Sequence, residues 1–212
     1  MKYSFHERLE RHRVMLYNAK NTSTITKRMA SFGYNGNKML KGITLLDDVL
    51  QAQSTKDIQY GAQKSATDAL NTEWNTFKKT YNEHVALARI AFKEDNGAYS
   101  TLNLDESRQA TIGAWLTQAA SFYQQLSAYA TDIARFDISP EDIQAAQAKI
   151  QALKNLRDTQ MQRKGEAQDA TEQRNETMKA LDEWMTEFRQ IARIAMKDNP
   201  QLLETLGMVV KA

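Results

Sequence analysis

The chain has 212 residues, 42% hydrophobic and 25% charged, with eight Gly and two Pro, which is enough material for one ordered globular domain. The absence of Cys excludes disulfide frameworks, thiolate nucleophiles, Cys-ligated zinc and iron–sulfur clusters, and three His leave little room for metal chemistry. The formal charge of +2 does not by itself announce nucleic acid or membrane, but residues 1–41 hold nine basic groups against Glu7 and Glu10, a local +7 that leaves −5 elsewhere.

The start of the chain lacks the apolar core of a secretory signal, and no stretch reaches the roughly 18 uncharged apolar residues of a membrane helix, so a soluble, cytoplasmic protein is expected. Phe5, Leu9, His12, Leu16 and Ala19 form a 4-3-4-3 stripe, predicting an amphipathic helix over about 3–20. Asn21-Thr22-Ser23-Thr24 reads as its stop and the next cap. This helix either covers the thinly apolar part of the last helix or binds a partner.

From Ile25 the same spacing runs through Met29, Phe32, Gly36, Met39, Ile43, Leu46 and Leu50, predicting one helix with a gap at Gly36. It returns at Trp115, Ala119, Phe122, Leu126, Tyr129, Ile133 and Phe136. Ser54-Thr55-Lys56-Asp57-Ile58-Gln59 and Ser139-Pro140-Glu141-Asp142-Ile143-Gln144 share Ser-x-x-Asp-Ile-Gln, a capping-box pattern that predicts a tight turn into a long helix at each place. Those helices end alike, with Ala88-Arg89-Ile90-Ala91 matching Ala192-Arg193-Ile194-Ala195 at an offset of 104, and Asn103 and Gly207 as matching stops. The starts are offset by 85, so the second long helix carries 19 extra residues, placed in the polar stretch 157–174 with Gly165 as a possible hinge.

The expected fold is therefore all-α: a single domain over 1–212, built as an elongated four-helix bundle with coiled-coil-like packing. It comprises the N-terminal helix and two duplicated αα-hairpins, at about 22–104 and 105–212. The extra stretch would project beyond the bundle.

Chemistry is sparse. No Glu-x-x-His motif precedes any histidine, and no nucleophile elbow, phosphate loop or dinucleotide fingerprint occurs, so no catalytic residue, cofactor or metal site is assigned. His84 and His12 lie on core stripes and read as packed rings, His84 with one nitrogen bonded to a polar neighbour. Trp184 flanks its stripe and could join the hairpins, while Arg89 and Arg193 read as caps of helix-end carbonyls. Paired acids such as Asp182-Glu183 read as solvated charge. The leading reading is a non-enzymatic interaction or scaffold protein whose partner is another protein or a second copy. The alternative is nucleic-acid or anionic-surface binding, with Arg8, Arg11, Arg13, Lys20, Lys27 and Arg28 as phosphate contacts. A third reading is an enzyme or small-ligand carrier with a pocket between the hairpins near Gly36, opposite His84.

Overall fold

The computed structural model describes residues 3–209, all of whose regular structure is helical. The elements are α1 (Phe5–Asn21), α2 (Ser23–Ala30), α3 (Gly36–Ala91), α4 (Asn96–Thr101), α5 (Ile112–Leu126), α6 (Ala130–Ile133), α7 (Pro140–Ala195) and α8 (Gln201–Thr205). Two short 3-10 turns, Ser127–Tyr129 and Ala134–Phe136, flank α6. No helix among the described residues is long and apolar enough to cross a membrane.

The N-terminal helix begins where a reciprocal cap allows it. Ser4 Oγ accepts from the Glu7 amide, and Glu7 Oε2 accepts from the Ser4 amide at 2.8 Å. The expected helix from Ile25 to Leu50 is interrupted: α2 stops at Ala30, Gly33 takes φ +84°, and the Tyr34 amide reaches back to the Met29 carbonyl. Asn35 then caps α3 by accepting from the Lys38 amide. The Gly and Asn signals of this turn lie inside an apolar spacing that runs straight through it.

The expected turn at Ser54-Gln59 is absent, and α3 runs unbroken through it. The two Ser-x-x-Asp-Ile-Gln segments have opposite fates for a physical reason. Ser139 is followed by Pro140, which lacks an amide hydrogen and favours a first helical turn. There Asp142 Oδ2 accepts from both the Ser139 amide and its hydroxyl. Ser54 follows Leu50-Gln51-Ala52-Gln53 with no breaker, and Asp57 accepts instead from Gln53 one turn back.

That correction removes the 19-residue excess. Both long helices have 56 residues, and their ends correspond at 104 throughout, 36 with 140 and 91 with 195. The buried positions Met39, Leu46, Val49, Tyr81, Ala88 and Phe92 match buried Ile143, Ile150, Leu153, Met185, Ala192 and Met196. The four described residues with positive φ also pair at this spacing, Gly33 with Asp137 and Asn103 with Gly207. Gly165 neither breaks α7 nor marks an overhang: Gln160 bonds Thr67 Oγ1, and Arg174 lies 4.6 Å over the Phe5 ring.

The chain divides into two compact units, Met1–Gln59 with Glu166–Ala212 and Tyr60–Gly165. Unit 1 packs α1, α2, the first part of α3, the last part of α7 and α8 around Leu16, Ile25, Met29, Leu46, Met185, Phe188 and Leu206. Helix α1 is thus core: Leu9, His12, Met15, Leu16 and Ala19 are all buried. Lys38 bonds Glu187 and Gly42 meets Trp184, so α3 and α7 run antiparallel here. Unit 2 packs the last part of α3, α4, α5, α6 and the first part of α7 around Tyr81, Trp115, Phe122, Tyr123, Leu126 and Ile133. Glu73 pairs with Lys149 and Thr67 with Gln160, the same antiparallel sense.

Gly42 is the tightest approach in unit 1. A Cβ there would sit 2.5–2.8 Å from three atoms of the Trp184 ring, itself stacked on Phe188 at 17° and edge-on to Tyr34 at 5.4 Å. Gly42→Ala gains about 1 kcal/mol of helix propensity and incurs about 1–3 kcal/mol of overpacking against a clamped ring. The expected result in urea unfolding is a net loss of up to about 2 kcal/mol. Gly61→Ala, with nothing within 4 Å, should gain up to about 1 kcal/mol.

Candidate functional site

The six basic residues singled out from the sequence lie on α1 and α2 in unit 1, and four of them have intramolecular partners. Arg8 Nη1 pairs with Asp182 at 3.0 Å. Arg13 forms a two-pronged pair with Glu10, lowering the Glu10 carboxyl below its usual range. Arg28 reaches the Ala195 carbonyl at 3.4 Å, capping the end of α7, and Arg11 lies 4.3 Å over the Tyr3 ring. Lys20 and Lys27 are exposed in the last turns of α1 and α2, where a cation suits the helix dipole. Lys2, which contributes to the basic excess, lies outside the described residues.

Arg89 donates through Nε to the Leu104 carbonyl at 2.8 Å, in the segment after α4 and not at a helix end. Arg135 makes in unit 2 the bond that Arg28 makes in unit 1, donating to the Ala91 carbonyl at the end of α3. Trp184 touches Gly42 and Tyr34, joining the two long helices inside unit 1.

Asp182 departs from the solvated reading. Its Oδ1 lies 2.7 Å from Nε2 of His12, which is 1% exposed. The Nδ1 atom of His12 has no hydrogen-bond partner among the described residues. A neutral ring donating from Nε2 fits this arrangement, and burial holds the His12 pKa below its usual value against the opposing pull of Asp182, with Arg8 and Arg189 adding to the depression. The i, i+3, i+4 stripe placed His12 in the core; its partner, 170 residues away, had no signal in the sequence.

The other polar cluster is in unit 2. His84 Nδ1 is 3.0 Å from the Tyr123 hydroxyl, while Tyr81 Oη accepts from Arg108 Nη1 at 2.9 Å. Burial lowers the His84 pKa against Asp142 and Glu83, and burial raises Tyr123. Asp142 is held low by its bonds to Ser139. His84 lines an open cleft of about 370 Å³ with Phe77, Thr80, Asp142, Ala146 and Lys149. Gly36, the position expected to face His84, stands at the start of α3 in unit 1, with open space where a Cβ would be. Among the described residues no group of three or more His, Asp or Glu is arranged to hold a metal ion.

The chain matches no protein-family model, no curated protein and no solved structure.

His12 gives a pH test. Its folded pKa is depressed, so its stabilising contribution is complete above the unfolded value of about 6.5 and is lost as pH falls below it. His84 has the same sign. The melting temperature should fall between pH 7.5 and 5.5, and His12→Met should fall less over that interval; equal slopes would remove His12 from the account.

Proposed function

We propose that this protein is a non-catalytic helical interaction or scaffold protein, built from two copies of one hairpin in a single register of 104 and holding a protein partner at an equivalent point on each copy. The register is supported by the equal long helices, the matched buried positions and the paired positive-φ stops. The observation that carries the interaction reading is the exposure of Ile90 at 63% and Ile194 at 56%. Single exposed aliphatic residues are ordinary. Here the same large aliphatic side chain is left in solvent at the same place in both units, beside Arg89 and Arg193, where neither core uses it. An exposed β-branched side chain adds nothing to helix propensity, so contact with a partner accounts for its presence twice.

Nucleic-acid binding is the weaker reading, because Arg8, Arg13 and Arg28 are engaged within the chain. Phosphate contact would have to displace those bonds or rely on Lys20, Lys27 and Arg11.

The test is affinity capture with full-length Ile90→Asp, Ile194→Asp and the double variant, with and without nuclease. Both sites are exposed, so melting temperatures should stay within a degree or two of the parent. Each single variant should weaken retention of a nuclease-resistant protein partner by about tenfold or more, and the double variant should abolish it. Full retention by the double variant sinks the reading. Loss of capture on nuclease treatment transfers the function to the basic residues.

A further inference from the structure

In the register of 104, one difference between the two cores replaces a large ring with small or polar side chains. In unit 1 the Trp184 indole lies flat against Gly42, stacks on Phe188 with centroids 5.4 Å apart, and meets Tyr34 edge-on. In the register of 104, the positions of unit 2 that correspond to Trp184, Phe188 and Gly42 are Thr80, His84 and Ala146. The space that a bicyclic ring fills in one unit is therefore bounded in the other by a threonine, an imidazole and a methyl group. That is where unit 2 has its cleft of about 370 Å³, lined by Thr80, His84 and Ala146 together with Phe77, Asp142 and Lys149.

We infer that unit 2 carries a binding site for a planar, indole-sized aromatic small molecule in the cleft beside His84. The inference rests on the repeat register proposed above. A cleft lined by an aromatic ring, small apolar side chains and a few polar groups is the usual form of a small-molecule site. The Phe77 ring and the Ala146 methyl supply apolar contact, and His84 supplies a flat face where Phe188 stacks on Trp184. The Tyr123 hydroxyl engages Nδ1 of His84 and sets the ring's orientation, leaving Nε2 to bond a polar substituent. The Thr80 hydroxyl and the Asp142 carboxylate line the same cleft and favour a ligand carrying a hydrogen-bond donor, such as the N–H of an indole. Lys149 is paired with Glu73, so the cleft has no free cation to demand an anionic ligand.

Indole itself is the probe, titrated into the full chain to millimolar concentration while the imidazole protons of the three histidines are followed by NMR. His84 should shift along a saturating curve, with His6 and His12 as internal controls. Thr80→Leu narrows the cleft from a half-buried position and should raise the half-saturating concentration by about tenfold or more. The double variant Thr80→Trp with Ala146→Gly rebuilds the ring seen in unit 1. It should displace the His84 resonances without ligand, abolish the response to indole and melt no lower than the parent. No shift at His84, an equal shift at all three histidines, or an undiminished response in Thr80→Leu overturns the site. A double variant that melts well below the parent counts against the register, while the parent and Thr80→Leu still decide the site.

Discussion

A helix of 56 residues is stable in water only where other helices cover its apolar stripe, and this chain contains two such helices whose central stretches are polar. In α7 the stripe positions from Arg157 to Arg174 include Gln160, Lys164 and Thr171. The burial available is therefore concentrated toward the ends, and two separate cores form there, one around Leu16 and Phe188 and the other around Trp115 and Tyr123. Each core draws on one end of α3 and the opposite end of α7, and is completed by the shorter helices, α1 and α2 in one unit and α5 and α6 in the other. Those short helices supply the third side that an antiparallel helix pair lacks.

The same arrangement explains what happens to charge. The N-terminal segment is basic, yet much of that charge is used to hold unit 1 together: Arg8 meets Asp182 beside buried His12, and Arg28 closes the end of α7. An arginine on a helix-end carbonyl recurs in unit 2 through Arg135 and Ala91. Basic residues that cap helix ends or pair with the half-buried Asp182 carboxylate are structural parts before they are ligand contacts. The proposed partner and ligand contacts therefore rest on the exposed isoleucine at the same register position in both units and on the cleft beside His84.

Each unit fills its core with aromatic edges in its own way. Unit 1 closes the space between its long helices with an indole on a glycine, and unit 2 has a histidine–tyrosine pair beside an open cleft. A proposed duplication makes this asymmetry informative, because two copies under the same packing demands diverge most freely where one has taken on a different task. His84, which the proposed register matches with Phe188, is a polar ring that packing alone would not call for, and the Tyr123 hydroxyl satisfies one of its nitrogens.

Local chemistry made much of this legible before any tertiary contact was known. The all-helical class, the amphipathic first helix, the start of α7 at Pro140 and the common Ala-Arg-Ile-Ala ends follow from apolar spacing, capping residues and the scarcity of Gly and Pro, which act over a few residues and need no distant partner. The turn at Gly33 was equally local, but its signal was masked by a spacing that continued across it, and Ser54 carried a cap pattern that nothing compelled the helix to use. Only the tertiary structure decided that α1 is core, that His12 meets Asp182, that Trp184 lies on Gly42 and that the cores divide the long helices between them. Those outcomes depend on which apolar faces meet at large sequence separation, and a periodic stripe records that a face will be buried without recording what buries it.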